Sequence, residues 1–131
     1  MRHEWRRHEA RGVRRIESYQ DLLVWQRSIG LVENIYKLSK TLPPDERFGL
    51  ITQMCRAAVS IPSNIAEGFG RQASGAYRNH LSMARGSLLE LETQIILCQR
   101  LEFLSNDQTA PILTELGELS RMLATLIGKL R

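Results

Sequence analysis

One stretch of the sequence follows the period of an α-helix more strictly than any other. From residue 77 to residue 98, intervals of four and three alternate without a miss between Tyr77, Leu81, Ala84, Leu88, Leu91, Ile95 and Cys98. This spacing places all seven residues on one face of a helix. An apolar helical face must be covered by other elements, and no segment shows the polar–apolar alternation of a β-strand. The sequence therefore predicts an all-α fold.

Three further segments show helical periodicity and are separated by turn residues. Ser18 with Asp21 resembles a capping pair at the start of the first segment. Pro62 lies inside the second, where it predicts a kink or a short break. Helices are predicted at about 18–40, 45–69, 74–102 and 109–131. Because the turns are short, residues 17–131 are predicted to form an antiparallel up-down-up-down four-helix bundle.

The first predicted helix has two apolar stripes, whereas a surface helix needs only one. One stripe consists of Leu22, Trp25, Ile29, Val32 and Tyr36. The other consists of Val24, Ser28, Leu31, Ile35, Leu38 and Leu42. An apolar surface beyond what the core requires usually marks an interface. The sequence therefore predicts a homo-oligomer, with its interface formed by Val24, Leu31, Ile35 and Leu38.

The excess positive charge of the chain is confined to its first residues. Residues 1–15 contain six arginines and two glutamates, a net of +4, and the remaining residues contain twelve basic and twelve acidic side chains. Residues 1–16 are interpreted as a basic N-terminal arm, with a frayed helix extension or a misassigned start codon as alternatives. The segment lacks the apolar core of a secretory signal, and no apolar run is long enough to span a membrane. The cytoplasm is the expected compartment.

Histidine and cysteine are too sparse for the common catalytic and metal sites. A di-iron bundle needs Glu-x-x-His on two helices, and no glutamate here is followed by histidine at the third position. Cys55 and Cys98 have no CxxC partner and are expected to be reduced thiols. Neither an enzyme nor a cofactor or metal is predicted.

The segment from residue 60 to residue 71 is more polar than core packing requires. Asn64 and Glu67 are predicted to join Ser87 and an arginine of the neighbouring helices in a polar cluster that fixes helix register. The candidate members are Arg56, Asn64, Glu67, Arg85, Ser87 and Glu90. A small-ligand site near Asn64 and Glu67 is the less favoured interpretation.

Three stretches of the sequence resemble a known family. They are Leu23-Val24-Trp25-Gln26, the run Ser60-Ile61-Pro62-Ser63-Asn64-Ile65-Ala66-Glu67-Gly68, and the helix segment Ala84-Arg85-Gly86-Ser87-Leu88-Leu89-Glu90-Leu91-Glu92-Thr93-Gln94. Together they are similar to the bacterial proteins named after intervening sequences in 23S ribosomal RNA genes, also called S23 ribosomal proteins. The resemblance covers about residues 17–131. It implies a left-handed bundle that assembles as a homopentamer, with no established activity.

The favoured hypothesis is a non-enzymatic oligomeric scaffold that binds RNA or a nucleoprotein partner. A similar pentameric bundle is the accessory protein of diversity-generating retroelements, where it contacts a reverse transcriptase and nucleic acid. The candidate nucleic-acid contacts are Arg2, Arg6, Arg7, Arg11, Arg14, Arg15, Arg71, Arg78 and Arg85, of which the last three recur at intervals of seven. The alternative is a purely protein-binding or structural oligomer, for which the arm is incidental.

Overall fold

The computed structural model describes residues 15–130, and four helices contain most of them. The helices are α1 (Leu23–Ser39), α2 (Leu50–Gly70), α3 (Ser74–Arg100) and α4 (Asn106–Lys129), with short 3-10 turns at Tyr19–Asp21 and Pro44–Glu46. No strand occurs within residues 15–130. The predicted all-α fold is therefore confirmed.

Contacts between α2 and α3 show that these helices are antiparallel. Near the start of α2, the Sδ of Met54 lies 3.6 Å from the Sγ of Cys98, near the end of α3. Toward the end of α2, the Oδ1 of Asn64 lies 3.1 Å from the Nδ1 of His80, near the start of α3. Later residues of one helix thus face earlier residues of the other, as the short connection at residues 71–73 requires.

The same order of contacts continues into α4. Gln99, at the end of α3, contacts Asn106, at the start of α4. Near the start of α3, the guanidinium of Arg78 donates to the carbonyl of Leu130, just beyond the end of α4. Helix α1 packs against both α2 and α4 and closes the bundle.

The first helix begins later than predicted because Ser18 and Asp21 cap a 3-10 turn that precedes the helix. The hydroxyl of Ser18 accepts from the amide of Gln20, and the carboxylate of Asp21 accepts from the amides of Glu17 and Ser18. This capping box starts the 3-10 turn, after which the backbone extends at Leu22 and α1 begins at Leu23.

Two other helix boundaries also differ from the prediction. Helix α4 begins three residues earlier than expected because Ser105 and Gln108 form a capping box. Helix α2 begins at Leu50, whereas the acidic residues after Pro43 form a 3-10 turn. Of the kink or short break predicted at Pro62, the break is wrong, because α2 continues through this buried proline to Gly70; the kink stays a prediction. The arm predicted for residues 1–16 lies almost wholly outside the described residues and stays a prediction.

The assignment of a subunit interface to the second stripe of α1 is wrong. Val24, Leu31 and Ile35 are buried in the core of the single subunit, and Leu38 packs half-buried against the same core. Ser28 in this stripe and Ser39 next to Leu38 are also buried, and each donates its hydroxyl to a carbonyl one turn earlier. These local bonds satisfy the hydroxyls, so a stripe interrupted by a serine can still face the core.

Candidate functional site

A polar cluster links α2 to α3 near the connection between them. The side-chain amide of Asn64 donates to the carbonyl of Ser60 at 2.9 Å. Its Oδ1 therefore faces the Nδ1 of His80, 3.1 Å away. Because an amide oxygen only accepts hydrogen bonds, this contact requires the proton of His80 to lie on Nδ1.

The outer part of the cluster is an ion pair at the surface. The Oε2 of Glu67 lies 2.9 Å from the guanidinium of Arg71 and 4.0 Å from the Nε2 of His80. The side chains of Glu67 and Arg71 are 54% and 53% exposed. Pairs this exposed contribute little to stability. The cluster therefore depends on the Asn64–His80 contact more than on this pair.

Glycine at position 68 lets the two helices approach each other beside this cluster. A Cβ at Gly68 would lie 2.7 Å from the Cβ of His80 and 3.0 Å from the Cδ1 of Tyr77. Both distances are shorter than ordinary van der Waals contacts. Gly68 thus keeps α3 close enough for His80 to reach Asn64.

The structure brings only some of the predicted cluster together. Ser87 contacts Ser60 instead of Asn64, the Nε of Arg85 donates to Ser120 on α4, and the carboxylate of Glu90 accepts from Gln94 at 3.4 Å. Arg56 lines a groove beside α2 together with Ser60.

His80 was missing from the prediction. An antiparallel alignment of α2 and α3 with Gly68 beside Tyr77 would have identified His80, because this alignment also places Asn64 beside His80.

The arginines predicted to contact nucleic acid differ in the groups to which they donate hydrogen bonds. Arg71 pairs with a carboxylate, whereas Arg78 donates to the carbonyl of Leu130 and Arg85 donates to the hydroxyl of Ser120. Arg15 is exposed. Five candidates lie outside the described residues, namely Arg2, Arg6, Arg7, Arg11 and Arg14.

A second ion-pair network joins α1 to α4. The guanidinium of Arg27 contacts the carboxylates of both Glu115 and Glu118. The hydrogen bond from Arg27 holds the pKa of Glu118 below its ordinary value. The same two carboxylates raise the pKa of Arg27. This arginine therefore has its charge compensated within the bundle.

Metal-binding groups, thiols and membrane-spanning helices are the other features of residues 15–130 that bear on function. No group of three or more His, Cys, Asp or Glu side chains in this range is arranged to hold a metal ion. Cys55 and Cys98 are free thiols, and burial raises the pKa of Cys98. No helix in the described part of the chain is long and apolar enough to cross a membrane.

Comparisons with known proteins agree with this architecture. A solved structure from Bacteroides thetaiotaomicron, a protein of unknown function from the S23 ribosomal protein family, superimposes with a TM-score of 0.75 at 26% sequence identity. The match covers 80% of this chain and 98% of that protein. No curated protein matches the sequence. The profile of the family described as 23S rRNA-intervening sequence protein matches residues 20–125. This chain therefore belongs to the 23S rRNA-intervening sequence protein family.

Proposed function

We propose that this protein is a non-enzymatic helical scaffold that assembles with copies of itself and binds RNA or a nucleoprotein. The observation that carries the proposal is the environment of Arg78 and Arg85. Each is held by a neutral oxygen, so its position is fixed while its charge is not compensated by that contact. Fixed, uncompensated guanidinium groups suit the phosphates of a nucleic-acid backbone.

Arg78 lies toward the end of the bundle at which other basic residues gather, and Arg85 lies two turns further along α3. Leu23 and Lys129 line the same cavity of about 420 Å³, so the start of α1 and the end of α4 are adjacent. Arg78 contacts the chain one residue beyond Lys129. Residues 1–14, with five arginines, join the described chain through Arg15 just before α1. Positive charge concentrated at one end would attract RNA.

The family name also supports an RNA partner, since it refers to an intervening sequence of ribosomal RNA. The contact expected is with the RNA backbone more than with particular bases. Arginines that reach phosphates position a nucleic acid without reading its sequence. We therefore propose binding with little sequence preference.

Self-assembly is proposed through the outer stripe of α1, in place of the buried stripe. Trp25, Ile29 and Val32 lie one turn apart and are half-buried in the single subunit. The ring of Tyr19 packs edge-on against Trp25, with 5.2 Å between centroids, and holds it in place. A row of partly exposed apolar side chains on one helix suits a closed symmetric interface. A homopentamer is the assembly that we propose.

RNA binding is tested by the dependence of the dissociation constant on salt. Arg78→Gln and Arg85→Gln should each reduce the slope of log Kd against log salt concentration by about 0.7–0.9, the value for one lost phosphate contact. Arg100→Gln removes the same charge from an exposed position at the far end of α3 and should leave the slope unchanged. Equal slopes in all three variants would contradict the role given to Arg78 and Arg85.

The contribution of the arm and the assembly are tested separately. A chain that begins at Arg15 should show a smaller salt slope than the full chain. Light scattering should give the mass of a closed oligomer for the wild type and a smaller mass for Ile29→Glu, while Leu89→Glu on the exposed face of α3 should keep the wild-type mass. A wild-type oligomer that binds no RNA at low salt would favour a purely structural or protein-binding role.

A further inference from the structure

A groove on the outer side of α1 and α2 combines an apolar wall with arginine side chains. It encloses about 660 Å³, within the range of small-molecule pockets, and its wall is largely apolar. The groove is lined chiefly by Tyr36, Arg47, Ile51, Arg56, Val59 and Ser63. Two arginines lie among these residues, and no carboxylate does. The chemistry of the groove therefore suits a ligand with a flat apolar part and a negative charge.

The arginine at one end of this groove is already braced by an aromatic ring. The guanidinium carbon of Arg47 lies 5.5 Å from the ring centroid of Phe48, which is 88% exposed. Such a cation–π contact holds the guanidinium against one ring. Its opposite face can then stack on a second flat group, as arginines stack on unpaired nucleobases.

The backbone around this pair is also fixed. Thr52 donates its hydroxyl to the carbonyl of Arg47, and the carboxylate of Glu46 accepts from the amide of Leu50 at 3.2 Å. The nearest acid in the sequence is thus directed at the start of α2, away from a ligand in the groove. Asp45 is exposed in the connection. A site held this way loses little conformational entropy on binding.

We propose that this groove binds one unpaired nucleotide of single-stranded RNA. The base lies against Tyr36, Ile51 and Val59, and the phosphates are contacted by Arg47 and Arg56. Base stacking on aromatic and guanidinium groups together with phosphate contacts is the general mode of single-strand binding. The inference rests on the proposed RNA-binding function. It adds that the bound RNA is single-stranded, since a base in a duplex cannot enter the groove.

One end of the groove is distant from Arg78. Arg47 precedes α2, whereas Arg78 lies near the start of α3, beside the end of α2. With about 1.5 Å of rise per residue, the 21 residues of α2 separate Arg47 from that end by roughly 30 Å, and the groove extends along α2 as far as Ser63. Because Arg78 and Arg85 do not line the groove, the two sets of residues can be substituted separately in the same full-length protein.

The test compares the binding of a ten-nucleotide uridine strand and an RNA duplex of the same length to the full chain by fluorescence anisotropy. Arg56→Gln and Phe48→Ala should each weaken binding of the single strand by about tenfold, within the range for one stacking or charged contact. Both should leave duplex binding within about twofold, because duplex binding would use backbone contacts elsewhere. The matched controls are Arg100→Gln for charge and Leu89→Ala for exposed apolar surface, and neither should change binding of the single strand by more than about twofold.

Crosslinking provides the second measurement. A strand that contains 4-thiouridine should crosslink to Tyr36 or to a neighbouring residue of the groove, as located by mass spectrometry. Groove variants that bind the single strand like the wild type, or crosslinks found only on α3 and α4, would overturn the groove assignment and leave the proposed RNA-binding function intact. A wild type that binds neither strand nor duplex would overturn both. A deoxyuridine strand that binds as tightly as the RNA would refute the choice of RNA.

Discussion

The close approach of α2 and α3 at Gly68 predicts an unusual response to the mildest possible substitution. Gly68→Ala adds one methyl group, whose carbon would lie 2.7 Å from the Cβ of His80 and 3.3 Å from the carbonyl oxygen of Tyr77. Neither atom can move aside by rotating a side chain, because both are fixed to the backbone of α3. The two helices must therefore separate by several tenths of an ångström or more.

The expected magnitude follows from two opposing effects. Overpacking by one methyl group costs about 1–3 kcal/mol, whereas alanine is favoured over glycine inside a helix by about 1 kcal/mol. Gly86→Ala isolates the second effect, because Gly86 is exposed on α3 and a Cβ there would meet no atom within 4 Å. The two variants should then differ in unfolding free energy by about 1–3 kcal/mol. For a domain of this size that corresponds to roughly 4–12 °C in Tm.

Thermal and chemical unfolding of the two variants provide the measurement. Gly70→Ala is a further control, because it lies at the same end of α2 and would also meet no atom within 4 Å. In Gly68→Ala the separation of the helices should also weaken the contact between Asn64 and His80, which the imidazole resonances report. If Gly68→Ala is as stable as the two controls, the reasoning from close helix approach is refuted.

Three further predictions concern other parts of the bundle. Replacing Leu31, which is only 1% exposed, with alanine should lower the unfolding free energy by about 2–5 kcal/mol. Ile29→Ala should lower it less, and the reverse order would contradict the orientation of α1. Gln94→Met should be neutral or stabilising by about 1 kcal/mol, because this amide is buried and its Oε1 has no partner among the described residues; a large loss would indicate a partner such as bound water. Arg27 lowers the pKa of Glu118 in the folded state. The contribution of Glu118 to stability is therefore present above the ordinary glutamate pKa and is lost as pH falls through the lowered value. In Arg27→Met, NMR titration should show the pKa of Glu118 returning toward its ordinary value, and an unchanged pKa would contradict this cause.

Helical periodicity alone was enough to predict the existence and order of the four helices. The stripe from Tyr77 to Cys98 is buried as expected. Its unbroken period places these residues on one face of the helix, so that face must be the one packed against the core. The rotation of α1 was not predictable in the same way. Both of its stripes are apolar, so the pattern alone does not say which of them faces the core. In the structure the stripe with Ser28 is buried, and the hydroxyl of Ser28 is satisfied by the carbonyl of Trp25.

The candidate site shows where sequence reasoning stops for a different reason. Asn64 and Glu67 were identified because polar residues there exceed what packing requires. Their partner His80 could be found only from the register between α2 and α3. That register depends on Gly68, whose close contact with Tyr77 is a property of two helices together. The groove beside Arg47 likewise requires the packed positions of α1 and α2.

The three-residue connection between α2 and α3 has a consequence for the order of folding. Contacts between these helices join residues closer in sequence than those between α1 and α4, and they form the largest helix–helix interface. Among neighbouring helices, α1 and α4 form the smallest interface. Short loops close at a low entropic cost, and local contacts speed folding. The α2–α3 hairpin should therefore form early in folding, with the meeting of α1 and α4 as a late step. The outer surface of α1, with both the proposed subunit interface and one wall of the groove, is then completed only when folding is nearly finished.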